Sequence, residues 1–289
     1  MNIKVGDIVG RRSYDCDMLF RVVTVKEDNT VELYGEDYRL VADAPIDDIV
    51  VVNISEKKAK RSQTKEKEDT SYRLFRQDYH LLKQRSEYNA TSGYGTKKLF
   101  FEIPGRVLHI DGDPIYLNKC LALYKKLGIP VQGIHMQESE MPFKVKELLE
   151  KVKPDILVIT GHDAYSKNKG NKSELKAYRH SQFFADSVRK ARQYQPQLDQ
   201  LVIFAGACQS HFESLIRAGA NFASSPGRIN IHALDPVYIV AKISYTSFME
   251  RINVWDVLRN TLTGDEGLGG IETRGILRTG MPYKENNDE

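Results

Sequence analysis

Between residues 106 and 224, unbroken apolar runs alternate with stretches whose apolar positions recur every three or four residues. The runs at 106–110, 131–135, 156–160, 201–205 and 222–224 predict strands, and 115–127, 142–152, 174–194 and 209–218 predict the helices between them. Gly128 and Pro154 stop two of those helices. Strands that are apolar at every position belong to a parallel sheet covered on both faces, so the expected fold class is α/β. Past Asp235 the pattern weakens: 236–249 and 254–261 read as helices, and the glycine-rich stretch 264–280 reads as loop.

The first 54 residues follow another rhythm. Short β-branched or aromatic runs at 7–9, 19–25, 30–34 and 49–52 are separated by turn residues at Gly10, Asp28-Asn29 and Gly35-Glu36-Asp37. Strands this short and this tightly joined predict a small antiparallel barrel of the SH3-like kind. Residues 55–70 carry no large apolar side chain and read as a charged linker or the solvated start of a helix. Tyr72, Phe75, Tyr79 and Leu82 then recur at helical spacing, which predicts an amphipathic helix over 71–88 ended by Gly93 and Gly95. The expected organisation is a barrel at 1–54, a linker and helix at 55–98, and an α/β domain at 99–289.

Composition removes several classes. With 42 Lys and Arg against 39 Asp and Glu, the net charge of +3 provides no electrostatic footprint for nucleic acid. The amino-terminal residues lack the apolar core of a signal peptide, and no apolar run approaches the ~20 residues that span a bilayer. The expectation is a cytoplasmic protein without a membrane partner. Three cysteines, at 16, 120 and 208, are too few and too scattered for a disulfide framework or a zinc ribbon. No histidine–carboxylate cluster has metal-ligand spacing, and the glycines at 267, 269 and 270 follow no predicted strand, so neither a metal nor a cofactor is expected.

In an open α/β sheet the chemistry gathers at the carboxyl ends of the strands. Those ends here are Asp111-Gly112-Asp113, His135 with Gln137, Gly161-His162-Asp163, and Gly206-Ala207-Cys208-Gln209. Cys208 stands at a predicted strand-to-helix turn, where backbone N–H groups and the helix dipole favour a thiolate. Its small neighbours Gly206 and Ala207 let a carbonyl approach the backbone. His162 ends the preceding strand at the equivalent place. Neighbouring parallel strands lie about 4.8 Å apart, so the two side chains form a minimal nucleophile and acid/base pair. His211 and His232 also lie near Cys208 in the chain and read as structural, as do Cys16 and Cys120.

The blocks Gly161-His162-Asp163-Ala164-Tyr165 and Gly206-Ala207-Cys208-Gln209-Ser210 resemble the signature of caspase-like (clan CD) cysteine peptidases, whose histidine lies about 50 residues before the cysteine. With the opening Lys4-Val5-Gly6-Asp7-Ile8-Val9-Gly10-Arg11, the whole chain is similar to the YabG family of sporulation-specific peptidases. The resemblance implies a caspase-like catalytic domain and a role in processing spore coat and germination proteins. It places the protein in the mother cell and then with the spore coat. It makes Cys208 the nucleophile and His162 its partner, with backbone N–H groups of Gly161, Asp163 and Cys208 holding the oxyanion. Asp163 stands where such enzymes usually have glycine.

The same resemblance puts a specificity carboxylate after the first strand, selecting a basic side chain, arginine by preference, before the scissile bond. Asp111 is the first choice, Asp113 with Pro114 reads as a helix N-cap, and Asp235 is a further candidate. Cysteine endopeptidase activity on protein substrates, without a cofactor, is the expectation, with self-cleavage in the basic segment 55–76. A glutaminase-like amide hydrolase and a non-catalytic coat-assembly scaffold are the alternatives; Ser210 and an upstream histidine count against the former.

Overall fold

The computed structural model describes residues 3–91 and 101–280. Five short strands come first: β1 (Ile8–Arg11), β2 (Phe20–Val25), β3 (Thr30–Gly35), β4 (Val41–Pro45) and β5 (Ile49–Val51). They form one antiparallel sheet in the order β4-β3-β2-β1-β5. In β3 buried and half-buried residues alternate, so one face carries Val31 and Leu33 into the core. The strand β4 has no counterpart in the sequence pattern, because Asp43 and Pro45 interrupt its apolar positions.

A single helix, α1 (Ile54–Thr91), follows and absorbs both the charged segment and the amphipathic one. The segment is rich in Lys, Glu, Arg and Gln, good helix formers, and extending an existing helix is far easier than nucleating one. What anchors it is Phe75, buried against Tyr79, Tyr238 and Tyr245. The Asp78 carboxylate adds an ion pair to Arg259 and a 2.8 Å hydrogen bond from Asn260. Gly93, Gly95 and the boundary drawn at residue 98 lie outside the described residues.

The rest of the chain alternates as the pattern predicts. In order come β6 (Phe101–Ile103), β7 (Val107–Asp111), α2 (Pro114–Leu127), β8 (Val131–His135), α3 (Met141–Val152), β9 (Ile156–Thr160), α4 (Ser181–Tyr194), β10 (Val202–Ala205), α5 (Phe212–Ala218) and β11 (Phe222–Ser224). Then follow α6 (Asp235–Ser244), β12 (Arg251–Ile252), α7 (Val254–Leu258), β13 (Leu268–Gly270), β14 (Thr273–Arg274) and β15 (Arg278–Gly280). A six-stranded sheet runs in the order β13-β11-β10-β9-β7-β8. Its members are parallel except β13, which pairs antiparallel with β11 at the edge and turns part of the expected loop 264–280 into strand.

Alternate residues of these strands face opposite layers. Val107, Ile156, Val158, Val202 and Phe204 share one core with Tyr124, Phe75, Tyr238 and the inner face of the antiparallel sheet. Leu108, Ile110, Leu157, Ile159 and Ile203 share the other with Met141, Leu149, Phe184 and Leu215. The protein is thus mixed α/β with a mainly parallel central sheet, and no helix among the described residues is long and apolar enough to cross a membrane.

Two helices start later than the pattern suggests. The expected helix 174–194 begins only at Ser181, because the Asp163 carboxylate takes the His180 N–H at 2.8 Å and the Ser181 hydroxyl. The one expected from Gln209 begins at Phe212, since Gln209 has a left-handed φ of 56° and His211 caps the helix by accepting the Ser214 N–H at 3.2 Å.

Candidate active site

Register carries Cys208 and His162 to the same edge of the sheet, at the ends of neighbouring strands. Ala205 of β10 pairs with Ile159 of β9, and each strand runs three residues further to reach its functional side chain. Gly206 is needed at the exit of β10: its φ is +109°, and a Cβ there would meet the Ser224 hydroxyl at 2.7 Å. Cys208 lies in the turn before α5 rather than at its first residues. Its thiol is fully buried, with the Ile231 N–H donating to Sγ at 3.2 Å. Burial pushes that thiol up, and the Ile231 N–H offsets only part of the rise.

His162 is fully buried between two carboxylates and two rings. Asp113 Oδ2 lies 3.3 Å from Nε2, and Glu138 Oε1 lies 3.9 Å from Nδ1 and accepts the His162 N–H at 2.8 Å. The Tyr34 ring stacks against the imidazole with centroids 3.7 Å apart, and Tyr116 lies at 5.3 Å. The Glu138 carboxylate reaches this place because Gly112 and Gly161 have no Cβ; one added there would meet Glu138 Oε1 at 2.2 and 2.3 Å.

Asp163 does not point at the Cys208 turn as a free charge. Its carboxylate accepts from the Ser181 hydroxyl, Ser210 Oγ at 2.9 Å, and the N–H groups of Ala164 and His180. It therefore ties the His162 loop to the Cys208 loop. Burial raises its carboxyl despite those donors.

The three candidate pocket aspartates have different partners. Asp111, fully buried, holds the Arg39 guanidinium at 2.7 Å and receives Thr160 Oγ1 at 3.0 Å. Burial opposes its charge, yet Arg39 and His109 hold its carboxyl well below the usual range. Asp113 caps α2 through the N–H groups of Ile115 and Tyr116, and its second oxygen meets Arg21 at 2.9 Å as well as His162. Against burial, His162 and Arg21 hold this carboxyl low. Asp235 accepts from the N–H groups of His232, Leu262 and Thr263 and from the Thr263 hydroxyl. Burial raises its carboxyl to about 6.

Four residues of this site escape the sequence pattern: Arg21, Tyr34, Arg39 and Glu138. The strand-end rule stops at Gln137, one position before Glu138. Arg21, Tyr34 and Arg39 come from the antiparallel sheet, and nothing in their local pattern says which carboxylate or ring they will meet. Of the two histidines nearest Cys208 in the chain, His211 caps α5 and His232 lies with Nε2 3.5 Å from Glu68, while His180 Nδ1 meets the His162 carbonyl at 2.7 Å. His109, Asp111 and Cys120 bring ligand atoms within 4.8 Å of one another, a spacing that suits a cation. The cation found against them is the Arg39 guanidinium, 2.7 Å from Asp111 and 3.4 Å from Cys120 Sγ.

Comparison with known proteins agrees on one family. The profile of the family described as YabG peptidase U57 matches residues 4–282. The chain is 59% identical to the sporulation-specific protease YabG of Bacillus subtilis (strain 168), over 99% of this chain and 100% of that protein. No solved structure matches it.

Proposed function

The chain belongs to the YabG peptidase U57 family, and from that premise we propose that it is a cysteine endopeptidase of sporulation that cleaves after arginine. Cys208 is the nucleophile and His162 the acid/base. The observation that carries the reading is the shared sheet edge, where Cys208 and His162 follow paired strand positions while Asp111 beside them already grips a guanidinium. In this reading the six-stranded sheet and its helices are a caspase-like catalytic domain at 99–289. The antiparallel sheet at 1–54 is an SH3-like barrel, and 55–98 joins them.

Once a peptide's arginine sits on Asp111, His162 takes the Cys208 thiol proton and Sγ attacks the arginine carbonyl carbon. The Cys208 N–H, with those of Gly161 and Asp163 at the neighbouring strand end, stabilises the oxyanion. His162 protonates the departing amine, and water then hydrolyses the thioester. Asp113, 3.3 Å from Nε2, orients the imidazole, and Glu138 fixes the loop by accepting the His162 backbone N–H. Asp163 fixes the relative position of the two loops. The substrates are proteins of the spore coat and of germination, met in the mother cell and at the coat.

The test is hydrolysis of an arginyl peptide and mapping of the new protein termini by mass spectrometry. Cys208→Ala and His162→Ala are each expected to lower kcat/KM by about 10⁴-fold or more, as loss of a nucleophile or its partner does. Cleavage retained by Cys208→Ala refutes the cysteine mechanism, and cleavage after residues other than Arg or Lys refutes the specificity.

A further inference from the structure

Cys208 and His162 are both wholly buried; the chain's own loop between β3 and β4 lies on Cys208, and Tyr34 at the end of β3 lies on His162. We infer that this loop is a resident substrate mimic: Asp37-Tyr38-Arg39-Leu40 fills the peptide cleft, with Arg39 standing where the residue before a scissile bond would stand. Arginine-bearing peptides must therefore displace it. The inference rests on the reading of Cys208 and Asp111 proposed above and adds the occupant that regulates that site.

Three sets of contacts carry it. The loop backbone runs along 231–233 as an added strand would: Tyr38 and His232 form an antiparallel bridge, the Arg39 N–H donates to the Ile231 carbonyl at 3.2 Å, and the Ala233 N–H donates to the Asp37 carbonyl at 2.8 Å. The Arg39 side chain is fully buried, paired with Asp111, donating to the Ala233 carbonyl at 3.1 Å and lying over the Tyr116 ring at 5.2 Å. The carbonyl of that same residue accepts the Cys208 N–H at 3.1 Å, the donor assigned to the oxyanion. Side chain, strand pairing and carbonyl thus adopt a substrate's register at once.

The far side of the bond agrees. Leu40 pairs with Asp163, directly after His162. Beyond it opens a cavity of about 750 Å³ lined by Leu40, Ala164, Tyr165 and Gln209, room for residues that follow a cleaved bond. Plain packing is a weak explanation for Arg39, because a buried ion pair contributes little more than apolar side chains would. The loop is held by its own frame: the Gly35 N–H donates to the Leu40 carbonyl at 2.9 Å, and Lys119 Nζ reaches the Glu36 carbonyl at 2.7 Å and Asp37 at 3.1 Å.

A loop that occupies the cleft nine-tenths of the time lowers apparent substrate affinity about tenfold. The three cysteines supply a readout that needs no activity: Cys208 under the loop, Cys120 in the core, and Cys16 half-buried at the surface. With iodoacetamide and peptide mass mapping, Arg39→Gln is expected to speed labelling of Cys208 about tenfold while a cooperative urea transition shows the fold intact. The synthetic peptide Glu-Asp-Tyr-Arg-Leu is expected to restore protection, and the same peptide with Gln for Arg is not. Hydrolysis of benzoyl-arginyl-nitroanilide should rise in step.

If Arg39→Gln loses its cooperative urea transition, the substitution has loosened the whole fold, and Arg39→Lys, which keeps a cation for Asp111, decides with a several-fold rise at Cys208. Unchanged labelling of Cys208 in whichever variant stays folded overturns the inference, even where the wild type hydrolyses the anilide and the protease reading stands. Faster labelling without hydrolysis in any form instead keeps the loop as the cover of Cys208 and removes the protease reading, and with it the loop's meaning as a substrate mimic.

Discussion

The two sheets of this protein meet at one edge and contribute opposite things there. The six-stranded sheet is buried on both faces, with β7 and β9 buried at every position, and its strand ends present Asp111, His162 and Cys208. The antiparallel sheet alternates, and it sends Arg21, Tyr34 and Arg39 onto those same residues. In the proposed mechanism one sheet supplies the groups that react and the other supplies the groups that cover them. Rigid burial on two faces suits precise placement, whereas a loop between two short strands can leave.

The strongest link between the sheets is the ion pair of Arg39 and Asp111, both fully buried. Replacing Asp111 by Asn strands a guanidinium in the core and is expected to cost about 3–5 kcal/mol of stability, measured by urea unfolding. Combining Asp111→Asn with Arg39→Gln should recover much of that loss, because the unpaired charge is gone. Additive losses in the double variant would mean the sheets are held together elsewhere and that the pair is incidental.

Two glycines sharpen the contrast on a smaller scale. At Gly35 a Cβ would meet the Tyr38 carbonyl, a backbone atom, at 2.4 Å, while at Gly161 it would meet Glu138 Oε1, the end of a flexible side chain, at 2.3 Å. Gly35→Ala is expected to cost about 2–3 kcal/mol and to expose Cys208 to alkylation, since only the loop can move. Gly161→Ala should cost about 1 kcal/mol and leave Cys208 covered. The reverse ranking would show that the loop is the stiffer partner.

Much of the six-stranded sheet was legible because fully buried strands leave an unmistakable apolar run. Residues 156–160 and 222–224 are strands at those very positions; 131–135 is a strand where expected too, although as the edge strand Val-Gln-Gly-Ile-His it buries no residue fully. The strand-end rule likewise singled out Cys208, His162 and Asp111, which the structure sets at one edge of the sheet. What it did not reach depends on long-range pairing. Arg39 sits 72 residues from Asp111, and β4 has no apolar run to announce it. The start of α4 was misplaced for the same reason, since the Asp163 carboxylate that sets it comes from another loop. Helicity of the charged segment in α1 is local in origin, yet its anchor, Phe75 on Tyr238 and Tyr245, is not.

The smallest effect concerns the strip 231–235, on which the loop rests. Burial holds the His232 imidazole down to about 4, so acidification costs stability between its ordinary 6.5 and 4, by about 3 kcal/mol over the window. The neighbouring Asp235 carboxyl is raised to about 6 from 3.8, so in that window the folded state holds the extra proton and acidification adds about 3 kcal/mol. The two slopes have opposite signs and nearly cancel, which leaves this strip almost insensitive to pH between 4 and 6.5. Asp235→Asn removes one slope only. Urea midpoints at pH 4 and 6.5 should then diverge by about 3 kcal/mol more in the variant than in the wild type, all other carboxylates being common to both. An equal divergence in the two proteins would mean that burial does not raise the Asp235 carboxyl, and that the strip under the loop is open to water.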